Sequence, residues 1–210
     1  MPTPSPSALP GRRGQAARND GAILDAAREV FLADPKAPIA AVAERAGVGI
    51  SALYRRYPGK EDLLRKICHD GLRRYIAEAE TALAEPDPTT ALRGFLERVV
   101  VADVHSLTIN LAGTFAPTPE MDADAMRAAE LSTELFERAR PVLREGIVVD
   151  DLTLVLDGCA AVRMPTPDRT REIRLRYVEV LFTGLTTDPA RPLPGPPPEA
   201  RELSWRWHDT

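Results

Sequence analysis

Prolines punctuate this chain, and between them the apolar residues recur at the spacing of a helix. Ala22, Ile23, Ala26, Ala27, Val30 and Phe31 form one stripe, with Asn19 or Asp20 available to cap its start. Pro35 and Pro38 end that helix and open a second, Ile39 to Ala46. A third is expected over Ile50 to Tyr57, stopped by Pro58-Gly59, and a fourth from Lys60-Glu61 to about Ala84, stopped by Pro86 and Pro88. The same reasoning predicts helices over about 89–104, 105–114, 121–145, 150–163 and 168–186, with breaks at Pro117/Pro119, Gly146 and Pro165/Pro167. Pro141 sits inside one of these and predicts a kink or split there. No strand pair or hairpin pattern interrupts the series, so the expected fold is all-α.

The ends differ from the middle. Residues 1–14 are rich in Pro and Ser and then basic at Arg12 and Arg13, which predicts a disordered arm. Asp188 to Pro198 holds six prolines in eleven residues, which precludes a helix or a central strand. Trp205 and Trp207 follow, and such large apolar surfaces are expected to dock back on the body. Cys68 and Cys159 match no metal or redox spacing and are expected as reduced thiols packed in helices. No long apolar run predicts a membrane span and no signal segment opens the chain, so the expected location is cytoplasmic.

The net charge of −4 conceals an asymmetry. Residues 11–74 carry 13 Lys and Arg against 8 Asp and Glu, a local charge of +5, whereas residues 75–210 carry 14 against 23, or −9. Local charge governs contact with a polyanion, so a basic N-terminal part on an acidic body is compatible with nucleic-acid binding.

The segment Ala46 to Lys60 gives that basic part a form. Gly47 stands where one helix must turn into the next, and Ala43, Ala46, Val48 and Leu53 are small or medium apolar residues suited to packing two crossing helices. No acidic residue occurs between Glu44 and Glu61, and with Leu53 turned inward, Tyr54, Arg55 and Arg56 fall toward the exposed side. Lys60 extends the positive edge. Arginine grips phosphate or guanine bidentately, and a tyrosine hydroxyl donates to a phosphate oxygen. This is the outline of a DNA-reading helix-turn-helix, spanning about residues 38–57.

A longer pattern sharpens the reading. Ile23-Leu24-Asp25-Ala26-Ala27, Phe31, Ala43-Glu-Arg-Ala-Gly-Val48, Leu53-Tyr-Arg-Arg-Tyr-Pro-Gly-Lys-Glu61 and Leu63-Leu64 together resemble the TetR family of transcriptional regulators. That resemblance implies an all-α homodimer: an N-terminal three-helix DNA-binding domain (15–76), joined by a long fourth helix to a C-terminal helical ligand-binding and dimerisation domain (77–187), with 188–210 as a Pro-rich tail. It implies a recognition helix over Ile50–Tyr57, with Tyr54 and Lys60 on phosphates, Arg56 on the backbone and Arg55 reaching bases or phosphate. Tyr57 stands where phenylalanine is usual and is expected mainly to pack, and Arg18 is a further candidate phosphate contact. Ser51, Ala52 and Gly49 depart from the family pattern. Ala52 loses one hydroxyl contact that Ser51 is placed to replace, and Ile50 is a candidate for a thymine methyl.

The partners so implied are double-stranded operator DNA, a second copy of the chain, and a small-molecule effector. No cofactor, metal site or catalytic residue is expected. The dimer interface is expected on Leu152/Val155/Leu156/Cys159 and Ile173/Tyr177/Val180/Leu181, with packing inside one chain as the alternative. Residues Val104 to Pro119 carry no charged side chain and are expected to be buried. His105, Thr108, Asn110 and Phe115 there, with Met126 and Phe136, are the candidate pocket wall, ordinary core packing being the competing role. Two other classes remain open at this point. One is a helical interaction dimer with a degenerate reading head. The other is an enzyme, which the absence of phosphate-loop, dinucleotide, zinc-protease and nucleophile-elbow patterns disfavours.

Overall fold

The structure is a computed structural model that describes residues 12–111, 113–187, 193–198 and 203. Of residues 12–18 and 108 it describes the backbone alone. The described residues form helices α1 (Arg12–Ala33), α2 (Ile39–Arg45), α3 (Ile50–Arg56), α4 (Lys60–Leu83), α5 (Pro88–Val101), α6 (Val104–Leu111), α7 (Pro119–Ala139), α8 (Val149–Ala161) and α9 (Pro167–Thr186), with a 3-10 turn at Arg140–Val142. No strand occurs among them.

The prolines begin helices more often than they end them. Pro88, Pro119 and Pro167 each occupy the first turn, where a missing N–H costs nothing. The residue before each is the cap: Asp87 accepts from Thr90 N–H at 2.7 Å, Thr118 from Met121 at 3.2 Å and Thr166 from Arg169 at 3.3 Å. At Pro141 the expected break is a split, with α7 closing into the 3-10 turn.

Several boundaries differ from the sequence reading, among them the end of α6, which stops at Leu111 rather than at 114. Helix α1 starts at Arg12, so Asn19 and Asp20 lie inside it and cap nothing at its start. Arg12, Arg13, Gln15, Ala16, Ala17 and Arg18 have high helix propensity and carry the helix upstream of the apolar stripe, into the segment expected to be disordered. Helix α5 ends at Val101, because Asp103 adopts φ 52°, a left-handed conformation that Asp tolerates better than most residues. The chain divides into two compact units at residues 64/65, inside the range of α4 and upstream of residue 76. Side chains just past that point already serve the second unit: Arg65 Nε donates to Ala116 O at 3.1 Å and His69 Nε2 meets Asp124 Oδ2 at 2.7 Å.

In residues 1–64 the core is made by Ile23, Ala27, Phe31, Val42, Leu53, Leu63 and Leu64, each 1% exposed or less. In residues 65–210 a larger core joins α4, α5, α7, α8 and α9, with Phe95, Leu96, Leu131, Leu135, Val178 and Phe182 at its centre. Tyr75 packs edge-on to Phe95, ring centroids 5.2 Å apart, and shares a 2.8 Å hydrogen bond with Ser132. Cys68 and Cys159 are free thiols, both buried. Burial pushes Cys68 up to about 12 and Cys159 up to about 11, the latter held back by Arg174. No described helix is long and apolar enough to cross a membrane. Trp205 and Trp207 lie outside the described residues, but Leu193 of the same tail comes 3.5 Å from where a β-carbon on Gly146 would stand.

Candidate nucleic-acid interface

The turn that presents α3 is closed by its own backbone. Gly47 has φ 65°, its N–H donates to Glu44 O at 3.1 Å, and the next N–H, from Val48, reaches Ala43 O at 3.0 Å. This is the Schellman closure, and it needs a residue comfortable in the left-handed region, hence glycine. Gly49 then caps α3 with its carbonyl alone, accepting from Ala52 at 2.9 Å and Leu53 at 3.2 Å, with no side-chain cap.

Helical spacing sorts the side chains of α3 into pairs four residues apart. Leu53, 0% exposed, and Tyr57, 8%, face the core. Ile50 and Tyr54 project outward at 40% and 47%, with the exposed Ser51 and Arg55 beside them. Ala52 is half-buried, and Arg56 is exposed at the last turn. The helix thus presents Ile50, Ser51, Tyr54 and Arg55 on one face, with Arg56 exposed at its end on the far side of Ala52.

Two of the expected contact residues are already occupied by the protein. Lys60 Nζ donates to Pro35 O at 2.7 Å and Ala37 O at 2.8 Å, and stands 5.0 Å from the centre of the Phe31 ring. An ammonium has three donors, so one is left for a phosphate. Its first role in this geometry is to fasten the connection between α1 and α2. Arg56 Nε donates to Asp20 Oδ1 at 2.7 Å, and the Tyr57 hydroxyl donates to the same oxygen at 2.9 Å. That hydrogen bond raises the Arg56 pKa. Sequence reasoning missed the Asp20 contact; its partners lie 36 and 37 residues away. The Arg18 side chain lies outside the described residues.

The candidate pocket residues do not converge. Phe136, 3% exposed, belongs to the core, with the Arg140 guanidinium 5.0 Å from its ring centre. Met126, on the same helix, is 64% exposed. Ten residues separate the two, about 15 Å along a helix. Asn110 Nδ2 returns to Ser106 O at 2.7 Å, and Thr114 Oγ1 to Leu111 O at 2.7 Å, so both polar groups serve their own backbone. Phe115 is buried, while Gly113, Thr114, Ala116 and Pro117 are exposed, so the uncharged stretch is not buried throughout. The Thr108 side chain lies outside the described residues.

His105 has a different setting. Its Nε2 meets Asp157 Oδ1 at 2.7 Å, linking α6 to α8. Beside it lies a cavity of about 10 Å³, the room of one water, lined by Val99, Asp103, Ser106, Leu156, Cys159 and Arg174 among others. Arg174, 3% exposed, ion-pairs with Asp103 and donates to Val162 O at 3.0 Å and Ala160 O at 3.2 Å. Ser106 also lines this cavity, and its hydroxyl is buried without a partner among the described residues. No described cluster of His, Cys, Asp and Glu has the makings of a metal site.

A glycine-closed turn presenting a basic helix on a three-helix head defines a helix-turn-helix DNA-binding protein. The pattern of the family described as "Bacterial regulatory proteins, tetR family" matches residues 23–67. The chain is 35% identical over 141 residues to the HTH-type transcriptional repressor LfrR of Mycolicibacterium smegmatis, covering 64% of this chain and 70% of that protein. The crystal structure of LfrR from Mycobacterium smegmatis in complex with proflavine aligns with a TM-score of 0.61 at 27% identity, over 82% of this chain and 99% of that one. PfmR from Thermus thermophilus, at 24% identity, shares the fold with a TM-score of 0.60 over 79% and 99% of the two chains. The protein belongs to the TetR family and is a DNA-binding transcriptional regulator, not an enzyme.

Proposed function

We propose that the protein is a ligand-responsive repressor that binds a palindromic operator as a homodimer in the cytoplasm, reading the major groove with α3. The observation that carries this is the surface of α3: Tyr54, Arg55 and Arg56 stand outward with Ile50 and Ser51 while Leu53 anchors the helix. Arg55 and Tyr54 supply phosphate or base contacts, Arg56 a phosphate contact, and Ile50 an apolar contact for a thymine methyl. Lys60 adds a phosphate contact with its remaining donor, and Arg18 one from α1.

The homodimer reading rests on α8 and α9. The stripe Leu152/Val155/Leu156/Cys159 is buried within the chain itself, which favours the alternative role, packing inside one chain, over a partner contact. What these helices leave outside is Leu154 at 43%, Tyr177 at 36% and Val180 at 62% exposure, with Tyr177 packed on Gly158. Apolar side chains of this size on the two helices by which the family pairs support a second copy there. Two reading helices about 34–36 Å apart then meet successive major grooves.

The effector reading rests on the relative solved with proflavine. For this chain the effector is taken to be a small organic molecule that prefers a dimer geometry unable to span the operator; tenfold relief needs about 1.4 kcal/mol of coupling.

The test is a titration of the purified chain against its own upstream DNA and a scrambled control across salt concentrations. Specific binding that weakens with salt, by a logarithmic slope of about −0.9 per phosphate contact, and that fails in Arg55→Ala or Arg56→Ala supports the reading. Equal, weak binding to every duplex recovered from a random pool would leave the interaction-dimer alternative in its place.

A further inference from the structure

Asp20 belongs to α1, yet its carboxylate lies at the end of α3. One oxygen, Oδ1, accepts from Arg56 Nε at 2.7 Å and from the Tyr57 hydroxyl at 2.9 Å. The pair sits at the surface, the Arg56 side chain 41% and the Asp20 side chain 32% exposed. The geometry has two consequences for DNA. A guanidinium has five donors, and this contact engages the one on Nε, so the two Nη groups with the other four form its far edge. An arginine tethered at Nε has fewer rotamers to lose when that edge docks on a phosphate.

The second consequence is electrostatic. The carboxylate stands one side chain away from whatever Arg56 grips, well inside a Debye length of about 10 Å. It therefore subtracts one charge from an attraction that acts on DNA of any sequence. Tethering favours the correctly registered complex, where the aim of Arg56 matters. The charge penalises the sliding, unregistered one, where only the sum of charges matters. Both effects push in the same direction.

We propose that Asp20 is a positioning residue that sets the ratio of specific to non-specific DNA binding: it aims Arg56 and cancels one positive charge at the edge of the reading head. The proposal rests on the reading that Arg56 touches the DNA backbone. Its substrate is double-stranded DNA, and its lever is the balance between a registered operator and every other sequence.

The experiment uses the full chain, a duplex that the unaltered protein selects from a random pool, and a scrambled duplex, each at several salt concentrations. Asp20→Ala is expected to lose about tenfold on the selected duplex, the worth of one charge-assisted contact. On the scrambled duplex it should bind as tightly as the unaltered protein or more tightly, with a logarithmic salt slope steeper by about 1 per bound protomer. Asp20→Asn keeps an acceptor for both donors, so it should hold the selected duplex within about threefold while still steepening the slope. It also carries the charge arm of the test should Asp20→Ala fold poorly. A merely structural role would weaken both duplexes in parallel and leave the slope alone. That result, or an unchanged slope in Asp20→Asn, overturns the proposal. Arg56→Ala separates the two layers: if it binds the selected duplex normally, the Arg56 contact falls and the proposal with it. If Arg56→Ala is weak while Asp20→Ala behaves as the unaltered protein, the Asp20 proposal alone falls.

Discussion

The two units of the chain treat charge in opposite ways. In residues 1–64 the described buried side chains are apolar or, like Tyr57, keep a polar tip bonded, and the ion pairs Arg45–Glu29 and Arg56–Asp20 lie at the rim. In residues 65–210 the fold closes over Glu78, Ser106 and Arg174, 5%, 1% and 3% exposed. Glu78 is gripped by Arg74 at 2.6 Å and Arg98 at 2.7 Å, and Arg174 by Asp103 and two carbonyls. Exposed pairs contribute little to stability, so charges at the rim can serve a ligand without the fold depending on them. Enclosed pairs contribute by penalty: breaking one strands a charge, so they restrict the packings open to the body.

The sharpest way to break this comparison is at Arg174. Arg174→Met should cost the body about 3 kcal/mol in urea unfolding, at the low end for buried pairs because Asp103 is one-third exposed. A loss no larger than that of a surface pair would remove the contrast. Lys60→Met should cost the head about 2 kcal/mol, since two carbonyls lose a charged donor. It should also flatten the salt slope of DNA binding by about 0.9, the one phosphate contact left to its remaining donor. That flattening with unchanged stability would return Lys60 to a purely DNA-facing role.

Smaller effects test the rim. Gly47→Ala should destabilise the head by about 1 kcal/mol: space is open around Gly47, and the strain of φ 65° is what remains. Tyr54→Phe should change stability by less than about 0.5 kcal/mol while weakening specific binding, and a stability loss without a binding loss would make Tyr54 a packing residue. At the bottom of the scale, Cys68 and Cys159 should resist alkylation at pH 8 until the chain unfolds. Their thiols are buried and pushed up to about 12 and about 11, so the reactive thiolate is scarce in the folded protein. Rapid labelling of the native chain would show that the body opens.

Local chemistry explains which parts of this structure were legible in the sequence. Cap-proline pairs such as Asp87-Pro88 and Thr166-Pro167 act within a few residues, so most helices and breaks follow from spacing. The inward turn of Leu53 follows too, because one helix period decides it. The missed features depend on distant partners or backbone choice. Asp20 reads as a cap until the fold brings Arg56 and Tyr57 to it. Lys60 reads as an exposed charge until the loop carbonyls of Pro35 and Ala37 surround it. The candidate pocket residues are neighbours mainly in sequence: Asn110 and Thr114 spend their polar groups on the preceding turn, and Met126 and Phe136 face different surroundings.

Arg138 on α7 shows a further economy. Its guanidinium donates to the carbonyls of Leu83, Glu85 and Pro86, the last at 3.0 Å, closing the end of α4. Every acceptor in this clasp is a peptide oxygen, which all twenty residue types possess. The side chains at 83, 85 and 86 can therefore change without removing an acceptor from this clasp, while losing the clasp is a matter of position 138. A grip on the main chain leaves the loop evolvable and makes one arginine answerable for where the longest helix stops.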